Sequence, residues 1–189
     1  QNMVNILNSF LSLDQLEQGK TATHPVKFDV KELSTETVEE FDAKLKPGQT
    51  IIYVHQSANT EIYTDRLILK NIVLNLLANA IKYSPENSII KYNTDVSKEG
   101  LEFMVEDHGI GIPESEQSNL FERFFRAKNT LNIEGTGLGL SIVKKYIDLI
   151  NGHIAFTSHE NQGSIFNIFV PNSVIIPNPL SVLGQGVRI

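Results

Sequence analysis

The sequence has 189 residues, 41% of them hydrophobic, a formal net charge of -6 and no cysteine. That length supports one domain with a real core and a short appendage, and the missing cysteines exclude disulfides, thiolate nucleophiles and Cys-type zinc sites. The acidic balance argues against a general nucleic-acid or anionic-membrane surface, and no apolar run is long enough to span a bilayer.

Residues 2–18 read as an amphipathic helix, with Val4, Leu7, Phe10, Leu11 and Leu16 near a 3.6-residue period and Gly19 as its stop. It begins without a cap, as the tail of a longer helix would. His24-Pro25 breaks the chain, and Val26–Phe28 suits a short strand. Asp29 with Glu32 resembles a capping box. The helix it opens carries Val30, Leu33, Val38, Phe41 and Leu45 on one stripe and stops at Pro47-Gly48. Ile51–Val54 is a strand candidate. Asp65 is placed to cap a helix that runs to Tyr83, with Leu69, Ile72, Val73, Leu76, Leu77 and Ala80 on its apolar side. After the Pro85-Glu86-Asn87 turn, strands are expected over 88–95 and 101–107, joined at Lys98-Glu99-Gly100. Gly109 to Gly139 shows one short helical stretch, Glu116–Phe125, and otherwise no regular period. So long a loop inside a compact domain usually has a function, such as a lid. A helix over Leu138–Ile150 and strands over 153–158 and 164–170 complete the pattern. Residues 174–189 carry Pro177, Pro179, Gly184 and Gly186 and have no assignable role.

Helices alternate with strands that suit antiparallel pairing. The expected fold is therefore α/β (α+β): a two-layer sandwich with a mixed sheet of about five strands and about three helices on one face.

Four groups of residues could carry chemistry. Asn75, Asn79 and Lys82 lie at i, i+4 and i+7 of one helix and share a polar face. Carboxamide oxygens are hard ligands for Mg²⁺ and an ammonium pairs with phosphate, so the stripe suits a metal–phosphate ligand. A solvated helix face is the competing reading. Asp107-His108-Gly109-Ile110-Gly111 follows a strand. A carboxylate fixed there can accept from an exocyclic amine such as adenine's, while glycines admit a flat ring; a polar strand-end turn competes. Gly135-Thr136-Gly137-Leu138-Gly139-Leu140 precedes a helix, where free N–H groups and the positive dipole end favour an anion. It is neither a P-loop nor a dinucleotide fingerprint, and a flexible hinge would also explain it. In Phe121-Glu122-Arg123-Phe124-Phe125-Arg126 the aromatics could anchor a lid while an arginine reaches a phosphate; a small amphipathic helix is the plainer alternative.

Taken in order, the four resemble the catalytic and ATP-binding domain of sensor histidine kinases. That family sits in the wider Bergerat-fold (GHKL) superfamily with gyrase, MutL-type repair proteins and heat-shock chaperones. Asn75 to Tyr83 is similar to the N box, Asp107 to Pro113 to the G1 box, Phe121 to Arg126 to the F box, and Gly135 to Leu140 to the G2 box. The resemblance covers about residues 26–171. It implies a catalytic domain over 21–173, the end of a dimerisation helix over 1–20, and a C-terminal tail.

It also implies roles. Asn79 would coordinate Mg²⁺ with Asn75 beside it, Lys82 would contact phosphate and Tyr83 would pack along the nucleotide. Asp107 would take the adenine amine, with Gly109, Gly111 and Ile112 shaping that pocket. Arg126, Arg123 and Lys128 would meet the terminal phosphates. Gly135, Thr136, Gly137, Leu138, Gly139 and Leu140 would form the flexible loop. In hydrolytic superfamily members a Glu that activates water holds the place of Asn75; an amide cannot, so ATP would be kept for a histidine nucleophile. None of His24, His55, His108, His153 and His159 has the context of a phosphoacceptor. The implied partners are thus ATP/ADP, a histidine-bearing dimerisation domain of the parent, a downstream response regulator, and a second copy in a homodimeric full-length parent, with no nucleic acid. A cytoplasmic location is expected, with membrane anchoring of the parent left open. A non-enzymatic nucleotide-binding module, a hydrolytic ATPase of this fold and a serine kinase of the same superfamily are the alternatives.

Overall fold

The computed structural model describes residues 22–130 and 132–173. The expected helix over 2–18, the dimerisation segment 1–20 and the tail 174–189 lie outside these residues. Seven strands and three α-helices follow in chain order: β1 (Val26–Asp29), α1 (Val30–Glu39), β2 (Thr50–His55), β3 (Glu61–Thr64), α2 (Arg66–Tyr83), β4 (Ile89–Val96), β5 (Gly100–Asp107), α3 (Gly139–Leu149), β6 (His153–His159) and β7 (Gly163–Pro171). The main sheet has five strands in the order β2-β4-β5-β7-β6, and β1 pairs with β3 in a separate two-stranded ribbon. Only β2 and β4 run parallel; α2 lies in the connection between them, as a parallel crossover requires.

Alternation decides the faces of this sheet. Ile90, Tyr92, Thr94 and Val96 of β4, Leu101, Phe103 and Val105 of β5, and Phe166, Ile168 and Val170 of β7 are all buried. Their neighbours Lys91, Asp95, Glu102 and Asn167 are exposed. The buried face joins one core with Val30 and Leu33 of α1, the apolar side of α2, and Val143 and Ile147 of α3. The helices therefore form a single layer on one side of the sheet.

Helix α2 is the pivot. Ile68, Leu69, Ile72, Val73, Leu76, Leu77, Ala80 and Ile81 are buried, pairs that recur every four residues and make a wide apolar stripe. Each such leucine, isoleucine or valine side chain removed from water contributes about 1.5–3 kcal/mol. The Asp65 carboxylate accepts from the N–H groups of Leu67 and Ile68, both at 3.0 Å, and so caps the helix. Packing and cap together fix the rotation of α2, and with it the direction in which Asn75, Asn79 and Lys82 face.

Two expectations need correction, and one strand lies outside the sequence pattern. Helix α1 stops at Glu39 and does not continue to Leu45, although Phe41 still reaches the core at 3% exposure. Its last turn holds no basic residue of its own, so acids stand at the negative end of the dipole, and Glu36 and Glu40 among them are met from α2 by Arg66 at 2.7 Å and Lys70 at 2.5 Å. The helix expected over Glu116–Phe125 is a 3-10 turn over Glu114–Asn119. Phe124 has φ +60, which ends helical geometry, and Gln117 instead donates to the carbonyls of Ile112 and Ser158, each at 3.0 Å. Strand β3 was not expected at all; its four residues are too few for a clear alternation, although Ile62 and Thr64 are each 1% exposed.

Candidate functional site

Between α2, the ends of β5 and β7, the 109–139 segment and the start of α3 lies a cavity of about 500 Å³. Asn75, Asn79, Lys82, Tyr83, Asp107, Gly111, Ile112, Arg126, Gly135, Thr136, Gly137, Gly139 and Leu140 all line it. Residues drawn from all four sequence groups are thus brought to one hollow.

On the α2 wall, the Asn75 Nδ2 donates to the Asn71 carbonyl at 2.8 Å, which leaves its oxygen toward the glycine loop. A Cβ built on Gly139 would stand 3.3 Å from that oxygen and 3.8–3.9 Å from the Asn79 carboxamide atoms. Lys82 Nζ donates to the Tyr83 hydroxyl at 2.9 Å and sits 4.5 Å from the Tyr83 ring centre, a cation–π contact. A Cβ on Gly135 would fall 2.4 Å from that ammonium. The glycine loop therefore runs directly against the polar stripe of α2. Helix α3 begins here without a side-chain cap, and Gly139 and Leu140 at its start line the cavity. Its first N–H groups and positive dipole end are a ready anion site.

The β5 wall supplies Asp107, 8% exposed. Its Oδ1 accepts from the Gly109 N–H at 2.8 Å. Burial pushes its pKa up to about 6, against the opposing pull of the Gly109 and Ser164 backbone donors and of His108. A buried carboxylate with a raised pKa, facing a cavity, is a common mark of a functional site. Gly111 has φ +61, and a Cβ there would lie 1.9 Å from the His159 carbonyl, so no other residue allows the loop to close against β6.

Several expected residues are engaged differently or lie outside the cavity. Arg126 lines the cavity, but its guanidinium donates to the carbonyls of Thr130, at 2.6 Å, and Ile133. Arg123 and Lys128 are exposed outside the hollow, Lys128 pairing with Glu116 at 3.7 Å. Leu138 is fully buried beneath the loop with Ile142, and Gly109 stands behind Asp107 as its donor. Sequence reasoning also missed lining residues, including Ile110, Phe125, Thr130, Ser164 and Phe166. Ser164 and Phe166 are paired across the sheet with Asp107 and Val105, a register that only the folded sheet reveals.

Residues 64–174 match the family described as histidine kinase-, DNA gyrase B-, and HSP90-like ATPase. The chain belongs to this ATPase family. Within it, the similarity runs to the ATP-binding catalytic domains of sensor histidine kinases. The chain is 32% identical over 181 residues to the circadian input-output histidine kinase CikA of Synechococcus elongatus, covering 93% of this chain and 24% of that protein. It is 30% identical over 200 residues to the signal transduction histidine-protein kinase BarA of Escherichia coli K12, covering 100% of this chain and 22% of BarA. The solved catalytic domain of histidine kinase ThkA superposes with a TM-score of 0.69 at 30% identity, over 79% of this chain and 96% of that one. The chain thus spans about a quarter of the length of these curated relatives. Among the described residues, no helix of this ATPase domain is long and apolar enough to cross a membrane.

Proposed function

We propose that the chain binds ATP with Mg²⁺ in this cavity and serves as the catalytic domain of a protein-histidine kinase. The γ-phosphoryl group would pass to a histidine of a dimerisation domain of the parent protein, and from there to a response regulator. The observation that carries the reading is the chemistry of the lining: Asp107 is its single carboxylate among the described residues, and it is engaged by the Gly109 N–H. The position on α2 that faces Gly139 holds Asn75, whose amide cannot take a proton from water. A nucleotide held there lacks a general base for its own hydrolysis and awaits an external nucleophile.

The residues fit such a ligand. Asp107 would accept from the adenine amine through the oxygen that Gly109 leaves open. Tyr83 and Ile112 would flank the base and sugar. Lys82 and the uncapped start of α3 would hold the phosphates. No cluster of three or more His, Cys, Asp or Glu able to hold a metal exists among the described residues. Mg²⁺ would therefore bind through the Asn79 oxygen, with Asn75 beside it, and otherwise through phosphate oxygens and water, as is usual for this ion. Bound there, the ion would neutralise charge on the transferring phosphoryl group. Arg126 would have to exchange its carbonyl partners in the 109–139 segment before it could meet a phosphate.

The test supplies labelled ATP to the chain together with the parent's dimerisation domain. Acid-labile label on a histidine is the expected result. ATP bound with no label transferred would overturn the kinase assignment and leave a nucleotide-binding module. Steady phosphate release by the chain alone, abolished in Asp107→Ala, would indicate a hydrolytic ATPase.

A further inference from the structure

An α-helix ends with carbonyls that have no partner within the helix. At the end of α2 the following residue, Ser84, is extended with ψ 149 and precedes Pro85, so the usual glycine-type closure is absent. External donors take its place. Gln49 Nε2 donates to the carbonyls of Ile81 at 3.0 Å, Ser84 at 3.3 Å and Pro85 at 3.0 Å. Lys46 Nζ donates to the carbonyls of Lys82 at 2.8 Å and Ser84 at 2.5 Å. From the opposite side, the Ile110 N–H donates to the Tyr83 carbonyl at 3.3 Å.

The donors form one built turn. The Gln49 N–H reaches the Lys46 carbonyl at 2.9 Å, and the Lys46 N–H reaches Gln49 Oε1 at 3.1 Å. Gln49 is 6% exposed, a buried amide whose oxygen holds its own turn and whose Nε2 is spent on the carbonyls at the end of α2 and on the Ser88 hydroxyl at 3.3 Å. The Lys46 charge sits at the negative end of the α2 dipole, where a cation is favoured. Neither side chain lines the cavity of about 500 Å³; Lys46 borders an adjoining hollow that shares Lys82 and Tyr83, and Gln49 borders neither.

We infer that Lys46 and Gln49 are positioning residues of the nucleotide site: they pin the backbone of the last turn of α2 and so set where Lys82 and Tyr83 face the cavity. The inference rests on the reading of that cavity as the ATP site. A small displacement of ligand-facing groups costs far more than its size suggests, because the contacts are short and directional.

The test compares the chain with its Lys46→Met, Gln49→Leu and Lys46→Arg variants, each shown to be folded at the working temperature by circular dichroism. Calorimetric titration with ADP should show affinity lowered roughly tenfold in Lys46→Met and Gln49→Leu and largely kept in Lys46→Arg. In a Lys82→Met background the further loss from Lys46→Met should shrink, since the two act through one group. In the nucleotide-free protein, the nuclear Overhauser contact between the Lys82 ε-protons and the Tyr83 ring should weaken in Lys46→Met. Unchanged ADP affinity in folded Lys46→Met and Gln49→Leu, or a loss that adds in full to Lys82→Met, would overturn the inference. Should the unaltered chain bind no ADP, the nucleotide reading fails by itself, and the Lys82–Tyr83 contact still decides: its persistence in Lys46→Met would overturn the positioning role.

Discussion

Asp107→Asn should push stability and ligand binding in opposite directions. Burial raises the Asp107 pKa from an ordinary 3.8 to about 6, so the folded protein holds a proton there that the unfolded chain releases. The sign follows directly. The associated stability is complete below pH 3.8, and it is lost as the pH rises through 6. The gap corresponds to about 3 kcal/mol of destabilisation at neutral pH and above. The neutral amide removes that cost. It keeps an oxygen for the Gly109 N–H at the same place but no longer offers a carboxylate to the Ser164 backbone donor, a loss of about 1 kcal/mol. Urea unfolding of the nucleotide-free variant at pH 8 should therefore show a net gain of about 1–2 kcal/mol, with the gain vanishing near pH 4. Binding should fall. With its oxygen on Gly109, the amide presents an NH₂ to the adenine amine, donor against donor. Losing a hydrogen bond to a charged acceptor costs about 1.5–3 kcal/mol, so ADP affinity at pH 8 should drop about tenfold to a hundredfold by calorimetry. In the unaltered protein, affinity should also decline as the pH falls below about 6, and this dependence should be absent from the variant. A variant that is less stable at pH 8 yet binds ADP as before would refute both the cost assigned to the buried charge and the adenine contact.

Asn79→Ala should leave ADP binding without metal nearly unchanged and abolish most of its strengthening by Mg²⁺, read by titration with and without the ion. Asn75→Glu should raise the steady release of phosphate from ATP by the isolated chain at least tenfold, since a positioned general base contributes roughly 10²–10⁴-fold; an unchanged rate would show that the amide is not what suppresses hydrolysis. Gly137→Ala should lower stability in urea by about 1–3 kcal/mol, because Gly137 has φ +71 and its added Cβ would lie 2.6 Å from the Phe124 backbone. Gly135→Ala should differ: the one close contact of the added Cβ is the Lys82 ammonium at 2.4 Å, a flexible end that can swing away, so stability should hold while ADP affinity falls several-fold.

The parts of this domain that sequence makes legible are those held by local rules. Asp65 caps α2, the apolar pairs on its buried side fix its rotation, and Asn75, Asn79 and Lys82 follow from helical spacing alone. Asp107 was readable as a carboxylate at a strand end, although its raised pKa was not, because desolvation depends on what packs around it. Legibility ends where long-range contacts override periodicity. The Glu116–Phe125 stretch has helical spacing, but Phe121 is drawn onto the Phe156 ring at 5.8 Å and Glu116 accepts from the Lys128 N–H at 2.8 Å, so it folds around its partners. Arg126 shows the same effect: its residue type suggests a phosphate, while the fold turns its guanidinium to the carbonyls of the same segment.

Lys46 and Gln49 lie at the far end of this scale. They act on backbone carbonyls, which carry no residue identity, so no motif pairs them with Ile81, Lys82 or Pro85. The signal that was present is indirect. Helix α2 ends at a Ser-Pro step with no glycine to turn its last carbonyls inward, and a helix closed in that way needs donors from another part of the chain. In this fold the nearest supply is the Lys-Pro-Gly-Gln turn that enters β2, the strand running parallel to the one that follows α2. The unpaired end of one helix thus links the turn before the edge strand to the phosphate side of the cavity. It also explains why a glutamine, which has no charge to offer a ligand, is buried there.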